Sequence, residues 1–210
     1  MQALGSTIHN ETLKFGIYSS AGTKTCAGRA GSLYYEETDA TDFASWGVDY
    51  LKLDNCYNKG VPGQERYSTM SQALAMQDHE IYFSICNWGN ENVTQWAPEI
   101  SNSWRTTQDI ARKDNVWQSM KGNFLTNLES ASQGGKGHWN DPDMLMIGNG
   151  LLTATEEQTH FALWAFAKAP LIIGCDLTNI ADSSLQVLKM EHFIAINQDL
   201  LGTQATDMSE

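Results

Sequence analysis

Apolar positions along the chain fall into two kinds of stretch that take turns from one end to the other. Short runs place apolar side chains at every second position or continuously, as strands with one or both faces buried do. The spacing predicts strands at 13–20, 48–56, 80–88, 103–110, 138–146, 171–177 and 193–197, with 171–177 of the fully buried type. Longer runs repeat apolar residues three and four apart, as amphipathic helices do. These predict helices at 39–47, closed by Gly47; at 64–77, with Tyr67, Met70 and Leu74 on one stripe; and at 116–130, with Trp117, Met120, Phe124 and Leu128 on one face. Thr153 and Glu156 fit a capping box opening a helix that ends before Pro170. A short helix at 92–100 is interrupted by Pro98, and another runs 182–190. Six or seven alternating units of this sort predict an α/β fold with a parallel sheet and helices outside. Residues 1–12 are polar and mixed, and 203–210 form a polar tail expected to fray.

The stretch 48–56, Val-Asp-Tyr-Leu-Lys-Leu-Asp-Asn-Cys, adds chemistry to this pattern. On a strand, Tyr50, Lys52 and Asp54 share one face, and Leu51 and Leu53 the other. A cation and an anion at the C-terminal end of a parallel strand occupy the place where barrel enzymes keep reacting groups. Asp54 is therefore the candidate nucleophile, against a plainer reading as a strand-end salt bridge with an Asp-Asn turn. The other strands also end in polar residues: Tyr18 on the first, Cys86, Asn87 and Trp88 on the third, Arg105 and then Asp109 on the fourth. Trp139, Asn140, Asp141 and Asp143 follow on the fifth, and Cys175 and Asp176 on the sixth. Two carboxylates facing each other across such a rim suit glycoside hydrolysis, one attacking and the other serving as acid and then base. Asp109 is the candidate acid, with a helix N-cap as its alternative role. Asp141-Pro142-Asp143 could bind hydroxyls, hold a metal or shape a turn, because Pro142 holds Asp141 extended. No spacing matches a known cation loop, so no metal and no cofactor is expected.

Composition narrows the partners. A formal net charge of −12 argues against nucleic acid and anionic membrane surfaces and suits a neutral substrate. Seven tryptophans and seven tyrosines supply aromatic faces for sugar rings as well as for a core. No run of 18 apolar residues predicts a membrane span, and the first residues do not read as a signal peptide. The four cysteines, Cys26, Cys56, Cys86 and Cys175, permit three pairings and lack the close spacing of a zinc ribbon.

Taken in order, seven segments resemble glycoside hydrolase family 27, best known for α-galactosidases. They are 15–28 (FGIYSSAGTKTCAG), 42–56 (DFASWGVDYLKLDNC), 86–89 (CNWG), 102–110 (NSWRTTQDI), 137–145 (GHWNDPDML), 168–176 (KAPLIIGCD) and 194–199 (IAINQD). The resemblance implies a (β/α)8 TIM barrel that removes terminal α-D-galactose with retention, from a galactose-containing oligosaccharide or glycoconjugate. It implies Asp54 as nucleophile and Asp109 as acid/base, with Tyr18, Lys52, Asn87, Trp88, Arg105, Asp143 and Met144 around the sugar. It also implies a Cys26–Cys56 disulfide and a secreted or lysosomal/vacuolar setting for the full-length family member. The family's first two βα units, with their Trp and Asp-Asp pair, have no counterpart here, nor does its C-terminal β-sandwich. Ser103 stands near the place of a further family cysteine, and Asp199-Leu200 replaces Asp-Pro. The expectation is an incomplete barrel over 1–202, lacking the first two units and weak in activity as such. Within the family, α-N-acetylgalactosaminidase and β-L-arabinopyranosidase activities are the alternatives; outside it, a non-catalytic sugar-binding fragment or a metal-dependent hydrolase.

Overall fold

The computed structural model describes residues 1–206. Five strands follow chain order in one sheet: β1 (Gly16–Ser20), β2 (Tyr50–Asp54), β3 (Tyr82–Cys86), β4 (Ser103–Arg105) and β5 (Trp139–Asp141). β1 to β4 pair in parallel, with Ser20 opposite Asp54 and Asp54 opposite Cys86. Helices α1 (Gln2–Asn10), α2 (Glu36–Ser45), α3 (Gly63–Ala75), α4 (Val93–Trp96), α5 (Val116–Leu128), α6 (Ala154–Phe166), α7 (Asp182–Leu188) and α8 (Glu191–Asn197) complete the chain. It divides into two compact units, Met1–Trp104 and Arg105–Glu210.

In the first unit the alternation of 48–56 becomes geometry. Leu51 and Leu53 are fully buried in a core with Phe83, Ile85, Tyr67, Met70 and Trp104. Gly47 ends the run after α2 at a φ of +74°, a conformation that glycine adopts without steric cost. Residues 1–12, read above as polar and mixed, instead form α1 over Gln2–Asn10. Gly5 lets that helix close in: a Cβ there would lie 2.5 Å from the Trp46 carbonyl oxygen. Asp49 then ties α1 to β1, accepting from the Phe15 amide at 2.7 Å and Lys14 at 3.0 Å, with His9 Nε2 at 2.7 Å.

The second unit has its own core of Ile110, Met120, Leu145, Ile147, Phe161 and Trp164. The expected capping box opens α6, with Thr153 and Glu156 satisfying each other's backbone amides. Two expected strands are absent. The run 171–177 is not a buried strand: it makes one parallel bridge, Ile173 to Leu145, while Ile173 and Leu177 are exposed. Leu145 N donates to the Ile172 carbonyl, and no regular ladder follows. The run 193–197 is helical, lying within α8, where the Phe193 ring meets Phe161 edge-on at 6.1 Å. A short apolar run suits a strand or a buried helix equally until its neighbours are known. The six or seven expected βα units thus reduce to five strands among the described residues. In the tail expected to fray, Gln204 is buried and bonded to Asn127 and Asn140, while 207–210 lie outside the described residues.

Candidate active site

In the first unit, strand register brings the candidate residues to one end of the sheet. Tyr18 lies opposite Lys52, and Lys52 opposite Ser84, with Asp54 closing β2. Asp54 is only 8% exposed. Its Oδ2 accepts the Tyr18 hydroxyl at 2.7 Å, and its Oδ1 accepts the Asn55 amide at 2.9 Å. Together the two bonds fix the plane of the carboxylate. The strand-end salt bridge weighed above is not what holds the Asp54 carboxylate among the described residues: its oxygens take the Tyr18 hydroxyl and the Asn55 amide, both uncharged donors. Partial burial, followed by the bond to Asp54, pushes the Tyr18 pKa well above that of a free phenol.

The loops behind this carboxylate are tightly held. Cys26 and Cys56 form a disulfide, joining the loop after β1 to the end of β2. A Cβ on Gly22 would lie 1.9 Å from the Cys56 carbonyl oxygen, so only glycine fits that crossing. Cys26, Asp54 and Cys56 are the one grouping of metal-ligand type among the described residues, within 4.8 Å of one another. Its two sulfurs are bonded to each other and offer no thiolate to an ion. After β3, Asn87 is fully buried, donating to the Asn90 carbonyl at 2.7 Å. Its Oδ1 has no hydrogen-bond partner among the described residues. Trp88 follows in the left-handed region at a φ of +61°, a costly place for a bulky side chain.

In the second unit, Arg105, Asp109, Asp143 and Met144 come together. The buried Arg105 Nη1 lies 2.9 Å from Asp143 Oδ1 and 3.2 Å from Asp109 Oδ1, and its Nη2 donates to the Thr107 carbonyl. Asp143 Oδ1 also accepts the Met144 amide, and Oδ2 the Ile110 amide, both at 2.8 Å. Its backbone sits at a φ of +103°, held by Asp141 Oδ1 on its amide and by the Trp164 indole on its carbonyl. The ambiguity of Asp141-Pro142-Asp143 therefore resolves locally: Asp141 shapes the turn and Asp143 takes the arginine. A carboxylate has about four acceptor sites, so Asp143 retains one beyond Arg105 and the Ile110 and Met144 amides. Asp109 is 55% exposed and caps no helix, because the N-cap of α5 is Asn115. Sequence reasoning passed over Asn55, whose amide bonds Asp54, and Arg66, buried on the core side of α3. An arginine beside the apolar stripe of Tyr67, Met70 and Leu74 was the available signal for the latter.

Residues 1–199 match the family described as alpha galactosidase A. Alpha-galactosidase 2 of Arabidopsis thaliana is 51% identical over 205 residues, covering 97% of this chain and 51% of the relative. Among solved structures, alpha-galactosidase I from Mortierella vinacea superposes with a TM-score of 0.91 at 37% identity, covering 98% of this chain and 57% of that one. The alpha-galactosidase of Saccharomyces cerevisiae with raffinose gives 0.90 at 39% identity, covering 98% and 51%. The chain spans about half the length of the curated relatives it matches.

Proposed function

Since the chain belongs to the alpha galactosidase A family, we propose that it carries the catalytic carboxylates of a retaining α-galactosidase. Asp54 attacks the anomeric carbon of a terminal α-D-galactose and forms a galactosyl-enzyme ester. Asp109 protonates the leaving glycosidic oxygen and then takes a proton from the incoming water, which releases galactose with its configuration retained. The five parallel strands are read as the part of a (β/α)8 barrel that follows its first two βα units. Raffinose-type oligosaccharides and other α-galactosides are the substrate class, as for the yeast relative bound to raffinose. The disulfide suits an oxidising setting, secreted or lysosomal/vacuolar.

The observation that carries this reading is the setting of Asp54. It is a buried carboxylate at the C-terminal end of a parallel strand, with one donor on each oxygen. A nucleophile needs to be aimed, and a donor on each oxygen fixes the plane of the carboxylate. Arg105 holds Asp109 on an exposed loop, where a leaving group can reach it, and Asp143 keeps an acceptor site for a sugar hydroxyl. Lys52, Asn87, Trp88 and Met144 complete the proposed sugar contacts. The buried Asn87 Oδ1 suits a substrate hydroxyl, because an unmet buried acceptor costs about 1–3 kcal/mol.

Asp54→Asn tests the assignment. Turnover of an aryl α-galactoside is expected to fall by orders of magnitude, with galactose binding retained and with no effect of a chelator on the parent chain. A variant as fast as the parent would sink the nucleophile. A parent chain that binds galactose without turnover would favour the sugar-binding reading instead.

A further inference from the structure

Arg66 is 1% exposed, on the face of α3 turned to the ends of β1 and β2. Burying a guanidinium costs several kcal/mol unless its donors are met. Here they are met by uncharged acceptors: Nε donates to the Val61 carbonyl at 2.8 Å, Nη1 to the Ala21 carbonyl at 2.7 Å, and Nη2 to Asn55 Oδ1 at 2.7 Å. The Glu91 carboxylate is 4.0 Å from Nη2 and 42% exposed, so little of the cost is recovered there. Two of the three acceptors belong to residues that touch Asp54 themselves. The Asn55 amide donates to Asp54 Oδ1 at 2.9 Å, and the Ala21 amide donates to the Asp54 backbone carbonyl at 2.8 Å.

We propose that Arg66 is a positioning residue for the nucleophile: its guanidinium fork clamps Asn55 and Ala21 together and so sets the direction of the Asp54 carboxylate. The proposal rests on Asp54 acting as nucleophile, as argued above. The fork matters because its two outer nitrogens reach two acceptors on separate chain segments at fixed geometry. A lysine in the same space delivers one point of charge and cannot hold both. Loosening the clamp turns the carboxylate without removing it, which impairs attack more than binding.

Arg66→Lys and Asn55→Ala cut the same link from its two sides. Each is expected to lower kcat on an aryl α-galactoside by at least about tenfold with KM within about twofold, and the double variant to be no slower than the worse single one. Independently of turnover, amide hydrogen exchange at Asn55 is expected to quicken by about tenfold or more as its bond to Asp54 loosens, while Phe83 and Ile85 in β3 keep their protection. Native kcat or native Asn55 protection in a folded Arg66→Lys chain overturns the proposal. Should that variant fail to fold, Asn55→Ala decides on the same two readouts. A parent chain without turnover would defeat the galactosidase reading alone, and the exchange measurement would still decide the clamp.

Discussion

Tyr18 and Asp54 are brought together by strand register, and a 2.7 Å hydrogen bond ties the phenol to the candidate nucleophile. With its pKa pushed up by partial burial and by that carboxylate, the Tyr18 phenol stays protonated throughout the range in which glycosidases work. It therefore remains a donor to Asp54 rather than a competing anion. Tyr18→Phe removes the donor and keeps the ring, which is 45% exposed and adds little to the core. A hydrogen bond to a charged group is worth about 1.5–3 kcal/mol, so kcat is expected to drop roughly tenfold or more. An unaltered kcat would reduce Tyr18 to a packing neighbour. The parity of Lys52 and Asp54 against Leu51 and Leu53 is legible in sequence, because a strand has period two. Arg66 is legible only as a charge beside the apolar stripe of α3, and Asn55 not at all, because their roles depend on where α3 lands.

Elements differ in how much of their stability is local. α6 starts with a capping box whose two halves lie three residues apart, so it could be read directly from the chain. Thr153→Ala is expected to cost about 1 kcal/mol, seen as a lower urea midpoint. α1 is the opposite case, attached through Asp49 rather than through any pattern of its own. Burial works to raise the Asp49 pKa, but the Phe15 amide, His9 and Lys14 overcome it and bring the carboxyl down to about 2. An unfolded aspartate titrates near 3.8. The unfolded chain therefore binds the proton first, and this contribution is present above that value and lost as pH falls toward 2. Asp49→Asn is expected to be less stable than the parent at pH 5, with the gap closing near pH 2 in urea titrations. A constant gap would show that the charge is not what holds α1. α8 misled the sequence reading because Phe193-Ile194-Ala195-Ile196 suits both periods, and the Phe161 contact belongs to tertiary packing.

The molecule as a whole has two compact units, each with a separate core, and their acid responses should differ. In the second unit His160 is buried, and its Nε2 accepts the Met146 amide at 3.0 Å. Burial lowers its pKa from 6.5 to about 3, so the folded ring stays neutral while an unfolded histidine takes up a proton. That stability is complete above pH 6.5 and drains away as pH falls toward 3. In the first unit the Asp49 contribution begins to fade only below about 4. Native-state hydrogen exchange is expected to show α6 amides losing protection at a higher pH than those of β1 and β2. Simultaneous loss would mean that one group governs both. The sequence by itself determined the alternation of strands and helices, the leucine face of β2, the capping box and the order of the polar strand ends. All of these are local, set by residues a few positions apart. Tertiary structure alone decided that 171–177 leaves the sheet and that 193–197 coils. It also decided that one arginine on α3 reaches both Ala21, 45 residues before it, and Asn55, 11 before it. Local periodicity cannot carry such information, since a hydrogen bond between distant segments exists only once the intervening chain has packed.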